Sequence, residues 1–155
     1  MRRSDRQRDK EFALAVIDAC EYGVCAFDAP QGQPYCLPLS MVRVGDELYF
    51  HCALEGLKLD LLRRSGRVCV SFVGRNIAAK DKFTTYFQSA VVTGQAREIT
   101  DPQEKIDALR ALCQRLTPSN MEKFDRAIAK SLAVTGVWAI HMEEIQGKEK
   151  PLPQG

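Results

Sequence analysis

The sequence lacks a strong charge imbalance and a long apolar run. Its 22 basic and 20 acidic side chains give a net charge of +2, which is too small for the broad positive field of a nucleic-acid-binding protein. No apolar segment approaches the roughly 20 residues that span a bilayer. The Arg-rich start also lacks the apolar region of a signal peptide. We therefore expect a cytoplasmic protein that binds neither nucleic acid nor membrane.

Familiar catalytic and metal-binding motifs are also missing. The sequence contains no G-x-S-x-G, no G-x-x-x-x-G-K-[ST], no H-E-x-x-H and no G-x-G-x-x-G. Its only histidines, His51 and His141, have no partner at metal-ligand spacing. A strand would point His51 and the adjacent Cys52 to opposite faces. We therefore expect no metal site.

What the sequence does contain is the composition of a reduced globular domain. The 155 residues are 45% hydrophobic and 27% charged, which predicts one domain over residues 1–155 with a core over about 8–148. The six cysteines are spread through apolar segments and form no C-x-x-C pair. We therefore expect reduced, buried thiols.

The first part of the chain predicts a helix followed by a hairpin. Apolar residues at helical spacing predict a helix from Arg8 to Glu21, which Gly23 would end in the left-handed conformation. Strands over residues 24–28 and 35–44 would then flank the turn-forming residues 30–34.

The middle of the chain predicts a strand, a short helix and a second strand. A turn at residues 44–46 leads into a strand from Glu47 to Cys52, in which His51 faces away from the apolar side. A short helix ended by Gly66 follows, and residues 67–73 return to a β-branched strand pattern. Residues 74–82 are expected to be irregular.

The last part of the chain predicts a long strand, two helices and a closing strand. Residues 83–99 are typical of one long strand with a bend at Gly94. Asp101 would cap the following helix, with proline at its first position. A helix over 122–131 and a strand over 134–142 precede a tail. Six or so strands without regular β-α-β alternation predict an antiparallel α+β barrel with peripheral helices.

The segment from Tyr49 to Lys58 is the most informative for function. It passes from a strand end into a helix start, where free backbone N–H groups and the cation of Lys58 favour a phosphate. The alternative is that Lys58 is an ordinary solvated side chain. An imidazole titrates near neutral pH, so His51 either donates a proton to a substrate or serves as a structural hydrogen-bonding residue.

This segment, with Phe50, His51, Ala53, Gly56 and Lys58, resembles the [FY]-H-x-A-x-x-G-x-K stretch of the nitroimidazole-resistance type of pyridoxamine-phosphate-oxidase-like flavoproteins. Two further segments agree in order and spacing, namely Pro38-Leu39 and residues 83–94 with Ser89 and Gly94. The helix opened by Asp101 and residues 143–148 are also similar to that family. The resemblance covers residues 5–148.

The resemblance implies a homodimer of six-stranded antiparallel split β-barrels with FMN at the subunit boundary. It implies that Lys58 and Ser89, helped by Gln88, bind the phosphate. Backbone groups along the second strand would line the isoalloxazine ring, and His51 would lie near the ring as the candidate catalytic residue. The implied cofactor-binding set is Pro38, Leu39, Ser40, Met41, His51, Cys52, Lys58, Gln88 and Ser89.

The implied activity is reduction of small electron-poor molecules such as nitroaromatics and nitroimidazoles, with the flavin carrying the electrons. The alternative is a flavin- or haem-binding module without turnover, and FAD is an alternative to FMN. The sequence departs from the family pattern at one position of the implied phosphate site. The family often has arginine before the lysine, where this chain has Leu57, so one phosphate charge is either missing or supplied from elsewhere, for example by Arg63 or Arg75.

Overall fold

The computed structural model describes residues 3–30 and 33–153 and has an α+β architecture. Within those residues, eight strands form one antiparallel sheet, around which four α-helices pack. The strands are β1 (Gln7–Arg8), β2 (Gly23–Phe27), β3 (Tyr35–Leu39), β4 (Val42–Val44), β5 (Glu47–Cys52), β6 (Arg67–Ala78), β7 (Thr85–Glu98) and β8 (Gly136–Lys150). The helices are α1 (Lys10–Ala19), α2 (Leu57–Arg64), α3 (Pro102–Leu116) and α4 (Phe124–Ser131). The predicted fold class is confirmed, with eight strands in place of six.

The sheet curls into a barrel that stays open along one seam. Its strand order is β3-β2-β6-β7-β8-β5-β4, with β1 paired to β8, so β3 and β4 are the two edges. Only Ser40 and Met41 separate these edges in the chain. Three Cα steps of about 3.8 Å therefore keep Leu39 within roughly 11 Å of Val42. No ladder joins β3 to β4 in the described residues, so the barrel is split.

Apolar side chains fill the barrel, and two helices cover its opposite ends. α1 packs beside Gly74 towards the end of β6, where Val16 lies 3.5 Å from an ideal Cβ. α2 instead runs into the first residues of β6 at Gly66 and Arg67. The side chains that are at most 2% exposed inside this core include Cys25, Leu48, Phe50, Val70, Phe72, Val92, Trp138 and Ile140.

A second apolar layer lies outside the barrel, on β4, β5 and the first half of β8. Alternation along β8 turns Trp138 and Ile140 into the barrel and Val137 and Ala139 outward. α3 and α4 cover the outward residues, and the buried members of this layer are Val42, Ile99, Ala108, Leu109, Leu112, Phe124, Val137 and Ala139. This layer places α3 and α4 next to the end of β5.

The predicted first helix is longer than the observed one. α1 begins after Asp9, whose carboxylate accepts a hydrogen bond from the Phe12 N–H at 2.8 Å. It ends at Ala19 instead of residue 21. The predicted left-handed stop at Gly23 is wrong, because Gly23 opens β2. An ideal Cβ there would lie 2.7 Å from the Phe72 ring, so close packing explains the glycine.

Three strand boundaries also differ from the prediction. The predicted strand over 35–44 is two strands, separated at Ser40 and Met41. β6 continues to Ala78 and β8 to Lys150, where irregular segments were predicted. Register shifts interrupt the pairing near Val73 and at Gly94, and these shifts hide the strand pattern. The shift at Gly94 leaves Glu143 of β8 without a register partner, and the bend predicted at Gly94 stays a prediction. Residues 31 and 32 of the predicted turn lie outside the described residues.

Several local predictions are confirmed. Asp101 accepts a hydrogen bond from the Glu104 N–H at 2.8 Å and caps α3. Gly45 has φ 61° in the turn between β4 and β5, and Gly66 has φ 68° after α2. These positive φ values are readily adopted by glycine.

The prediction of buried thiols is correct for only one cysteine. All six cysteines are free, but only Cys25 is buried. Cys36 is exposed because it lies on the outward face of the edge strand β3. Cys20, Cys52, Cys69 and Cys113 are half-buried.

Candidate functional site

The junction between β5 and α2 contains three of the predicted site residues, on two faces of β5 and in the first turn of α2. His51 is exposed on the outer face of β5, as predicted, and its register partner on β8 is Val137. Cys52 points the other way and is half-buried. Burial raises the pKa of the Cys52 thiol, against the opposite effect of Lys58. A protonated thiol is a poor nucleophile, so this cysteine serves packing.

The start of α2 offers a group of hydrogen-bond donors. Gly56 precedes the helix with φ 125°, and no side chain caps the first turn. The Gly56 carbonyl accepts from Leu59 and Asp60, which leaves the earlier N–H groups of the helix free for a ligand. The Lys58 ammonium lies 5.6 Å from the centre of the Phe50 ring, and none of the described carboxylates forms an ion pair with it. Lys58 is therefore held by an aromatic face and carries an uncompensated charge.

Neither arginine considered as a second phosphate cation is free beside Lys58. Arg63 pairs with Glu98 at 2.9 Å and also contacts the Leu54 carbonyl. Arg75 lies at the α1 end of the barrel, where it is 3.6 Å from Glu149. The position that precedes Lys58 is occupied by the exposed Leu57. The α2 start therefore presents one lysine cation.

Residues 38–41 lie along the seam of the barrel. Pro38 is exposed on the outer face of β3, and Ser40 faces a groove between the C-terminal ends of α1 and α3. Met41 is only 3% exposed, and its side chain packs in the barrel core. The prediction for this segment concerned backbone groups, and among the described residues β3 pairs with β2 alone. Its outer backbone edge is thus free to contact a ligand.

Gln88 and Ser89 lie far from Lys58 in the same chain. In the sheet register, Ser89 is opposite Lys148, whereas His51 is opposite Val137. These β8 positions are separated by about 36 Å of strand at roughly 3.3 Å per residue. Gln88 also faces the groove beside α1, at the end of the barrel opposite to α2. One phosphate therefore cannot contact both Lys58 and Ser89 of the same chain.

Ser89 has a cationic neighbour that the sequence analysis did not identify. Lys148 is its register partner on β8. The ammonium of Lys148 and the guanidinium of Arg6 lie 5.9 and 6.0 Å from the centre of the Phe87 ring. Residues 143–150 were predicted to be a tail, so this pairing was missed. The extension of β8 places positive charge beside Ser89.

The Gln88 side chain is hydrogen-bonded to a carboxylate at the same end of the barrel. Its amide donates to Glu149 at 2.9 Å, and Arg8 donates to the other carboxylate oxygen at 2.9 Å. The Glu149 side chain is 13% exposed, and Arg75 is 3.6 Å away. The hydrogen bond from Gln88, followed by the contact with Arg8, lowers the pKa of Glu149, although burial acts in the opposite direction.

Glu149 is expected to make the stability of the fold depend on acid pH. Because its pKa is lower in the folded chain, its contribution is complete above the ordinary carboxyl value of 4.5 and is lost as the pH falls below it. We expect Glu149→Gln to lower the free energy of unfolding by about 1 to 2 kcal/mol at pH 7, and to flatten the pH dependence below about pH 4.5. Urea unfolding measured between pH 3 and 7 tests this.

The matched control is Glu144→Gln on the same strand. Glu144 is exposed and has no ion pair with a described residue, so its replacement should leave stability within about 0.5 kcal/mol of wild type. Equal effects of the two replacements would contradict the role assigned to Glu149.

A pocket between α3 and α4 opens beside His51. It has a volume of 570 Å³ and is lined largely by apolar residues of the two helices, with His51 at its edge. Most of the apolar side chains of α3 belong to the outer apolar layer, including Leu109 and Leu112 in the pocket wall. The pocket was missed because its walls come from elements whose relative position depends on tertiary packing.

The described ranges 3–30 and 33–153 contain neither a candidate metal-binding cluster nor a helix able to span a membrane. No cluster of three His, Cys, Asp or Glu side chains there has an arrangement suited to a metal ion. None of the helices in these ranges combines the length and apolar character required to cross a bilayer.

Comparison with known proteins identifies the family. The profile of the pyridoxamine 5'-phosphate oxidase family matches residues 9–149. Among curated proteins, no sequence matches.

Solved structures share the fold. A flavocytochrome from Azotobacter vinelandii is 26% identical, with 99% of this chain and 73% of that chain covered and a TM-score of 0.83. An FAD and haem binding protein from Mycobacterium smegmatis is 23% identical over 97% and 76%, with a TM-score of 0.81. A candidate 5-nitroimidazole antibiotic resistance protein from Bacteroides thetaiotaomicron is 24% identical over 92% and 84%, with a TM-score of 0.77. The chain belongs to the pyridoxamine 5'-phosphate oxidase family, as its sequence predicted.

Proposed function

We propose that this protein is a cytoplasmic FMN-binding flavoprotein that reduces small electron-poor molecules such as nitroaromatics and nitroimidazoles. The observation that carries the proposal is the β5–α2 junction, where an uncapped helix start and Lys58 follow a strand that presents His51 on its outer face. This junction lies in the segment that resembles nitroimidazole-resistance flavoproteins. The similar fold of the candidate resistance protein from B. thetaiotaomicron supports the same substrate class.

The start of α2 suits a phosphate monoester, the anionic group of FMN. Free N–H groups at a helix start and the positive end of the helix dipole favour a phosphate. Gly56 has no Cβ to obstruct the approach, and an added Cβ would meet no atom within 4 Å. Lys58 adds a cation without a competing carboxylate in the described residues. The residues present therefore fit the group.

The remaining residues would position the ring and the substrate. The free backbone edge of β3 and residues 38–41 would orient the isoalloxazine, which supplies the electrons when it is bound. His51 would donate a proton from its imidazole to the substrate beside the ring. Cys52 would pack beneath this site, since its side chain faces inward.

A second copy of the chain would complete the site. Lys58 and Ser89 lie too far apart in one chain to contact the same phosphate. We propose a homodimer in which Lys58 of one protomer and Ser89 of the partner subunit approach the same FMN. Lys148, opposite Ser89, would then add the positive charge that Leu57 does not supply.

The outer face of the sheet supports this dimer. Val24, Val73 and Val91 lie on that face and are 37%, 59% and 37% exposed. Their strands β2, β6 and β7 are adjacent, so these residues form a patch that the described helices leave uncovered. Contiguous exposed apolar surface is typical of protein interfaces. Pro38 and Ser89 border the same face.

The proposal is tested by the visible spectrum of the purified protein. We expect a flavin spectrum, either as purified or after addition of FMN, that is bleached by a nicotinamide donor and restored by an added nitroaromatic. Analysis of the released cofactor distinguishes FMN from FAD. A protein that binds neither FMN nor FAD would contradict the proposal.

Haem binding is the second candidate function. The observation that favours it is His51, whose exposed imidazole forms no hydrogen bond within the described residues and borders the apolar α3–α4 pocket. A histidine is a common axial ligand of haem iron. Two of the solved structures with this fold are a flavocytochrome and an FAD and haem binding protein. A Soret band that disappears in His51→Ala would favour this function.

A further inference from the structure

The pocket between α3 and α4 has the size and lining of a small-molecule site. Its 570 Å³ lies within the range of about 300 to 1,000 Å³ that is typical of ligand pockets. It lies outside the barrel, on the opposite side of β5 from the core. Its apolar walls are formed by Leu109, Leu112, Leu116, Phe124, Ala127 and Ile128.

α4 is anchored at its two ends, and the pocket lies along the helix between them. At its start, Phe124 is buried and the Arg110 guanidinium lies 4.3 Å from the centre of its ring. Just beyond its end, Lys105 donates to the Leu132 carbonyl at 2.8 Å. The middle of the helix, at Ala127 and Ile128, faces the pocket. Ile128 is half-buried against the outer apolar layer, whereas Ala127 beside it is exposed, so the pocket has a packed wall and an open side here.

Some polar side chains of the pocket already form hydrogen bonds within the described chain, and others do not. The hydroxyls of Thr117, Ser131 and Thr135 donate to backbone carbonyls at 2.8 to 3.3 Å. His51, Asn120 and Lys123 line the same pocket, and their side chains have no hydrogen bond or ion pair within residues 3–30 and 33–153. All three can donate a hydrogen bond. These three unused donors therefore favour a ligand with acceptor oxygens.

We propose that the α3–α4 pocket binds a small planar aromatic molecule that carries a nitro or carboxylate group. The aromatic ring would pack between the leucines of α3 and the middle of α4, and its oxygens would accept from Lys123, Asn120 or His51. As a site for the electron acceptor, this pocket rests on the proposed function. As a binding site it does not, because the contacts proposed for the ligand all come from residues of this chain.

The experiment is calorimetric titration of the purified protein with 4-nitrobenzoate, which carries both acceptor groups. Ala127→Trp would fill the pocket, and we expect it to weaken binding at least tenfold. Ala129→Trp is the matched control, because Ala129 is exposed on the same helix but does not line the pocket. We expect wild-type affinity from this control.

A second variant tests the polar contacts without filling the pocket. Lys123→Met removes an exposed cation and should not affect folding. We expect it to weaken 4-nitrobenzoate about threefold to tenfold and to leave nitrobenzene, which has no carboxylate, within about twofold of wild type. Failure of wild type to bind 4-nitrobenzoate, or equal binding by Ala127→Trp and wild type, would overturn the pocket assignment.

Flavin titration of the same samples separates this inference from the proposed function. If flavin binds and 4-nitrobenzoate does not, the pocket assignment is wrong and the flavin proposal stands. If 4-nitrobenzoate binds in the expected variant pattern but no flavin binds, the pocket assignment stands and the flavin proposal is wrong.

Discussion

Replacement of Gly94 by alanine is expected to lower the free energy of unfolding by about 3 kcal/mol, near the upper end of the usual cost of overpacking. Gly94 lies on β7 at the register shift with β8. An ideal Cβ at this position would overlap the backbone carbonyl oxygen of His141. Backbone atoms cannot rotate away as a side chain can, so the two central strands would have to separate. Urea unfolding followed by fluorescence of the single, buried Trp138 measures the loss.

Gly74→Ala is the matched control for this replacement. Gly74 also lies in a long strand, but the nearest atoms to its ideal Cβ are at 3.5 Å, which is ordinary contact. Alanine there should leave stability unchanged or raise it by about 0.5 kcal/mol, because it restricts the unfolded chain. Equal stability of Gly94→Ala and Gly74→Ala would contradict the close approach of β7 to β8 at Gly94.

Mixed dimers of Lys58→Ala and Ser89→Ala chains are expected to retain one FMN site of wild-type affinity. If each site takes Lys58 from one chain and Ser89 from the other, a mixed dimer has one intact site and one site that lacks both residues. Each variant alone has two sites that lack one residue. We expect those homodimers to bind FMN at least about tenfold more weakly, because a hydrogen bond to a charged group contributes about 1.5 to 3 kcal/mol.

The reciprocal mixture is the control. A wild-type chain paired with a Lys58→Ala/Ser89→Ala chain should have two weakened sites and no intact one. Two different affinity tags isolate each mixed dimer, and flavin titration gives the number and affinity of its sites. The opposite result, with the intact site in the reciprocal mixture, would mean that one chain supplies both residues. A monomer on gel filtration would contradict the shared site altogether.

Much of the fold could be predicted because its signals are local. The cap at Asp101 and the turn at Gly45 depend on neighbouring residues, and both are confirmed. The alternation of β5 correctly placed His51 on the outer face. The extent of β8 could not be predicted, because the register shift near Gly94 displaces its alternation by one residue. The end of β6 is exposed on both faces, so no apolar pattern marks it.

The candidate site, too, could be predicted only where its residues are close in sequence. His51 and Lys58 are close in sequence, and the structure places them at one junction. The distance from Lys58 to Ser89 depends instead on the order of strands in the sheet, which no local pattern contains. The same reason explains why Lys148 beside Ser89 and the pocket between α3 and α4 were missed. Both depend on packing between elements that are distant in sequence.

The position of β8 in the sheet has a consequence for synthesis of the protein. β8 is the last strand along the described chain, yet it lies between β7 and β5 and joins the two halves of the sheet. It also pairs with β1, so Arg8 meets Gly147. While the chain emerges from the ribosome, the β3-β2-β6-β7 and β5-β4 groups can therefore form only as separate sheets with unpaired edges. The two groups can join only after β8 has emerged, and this interval is when the nascent chain most needs protection from aggregation.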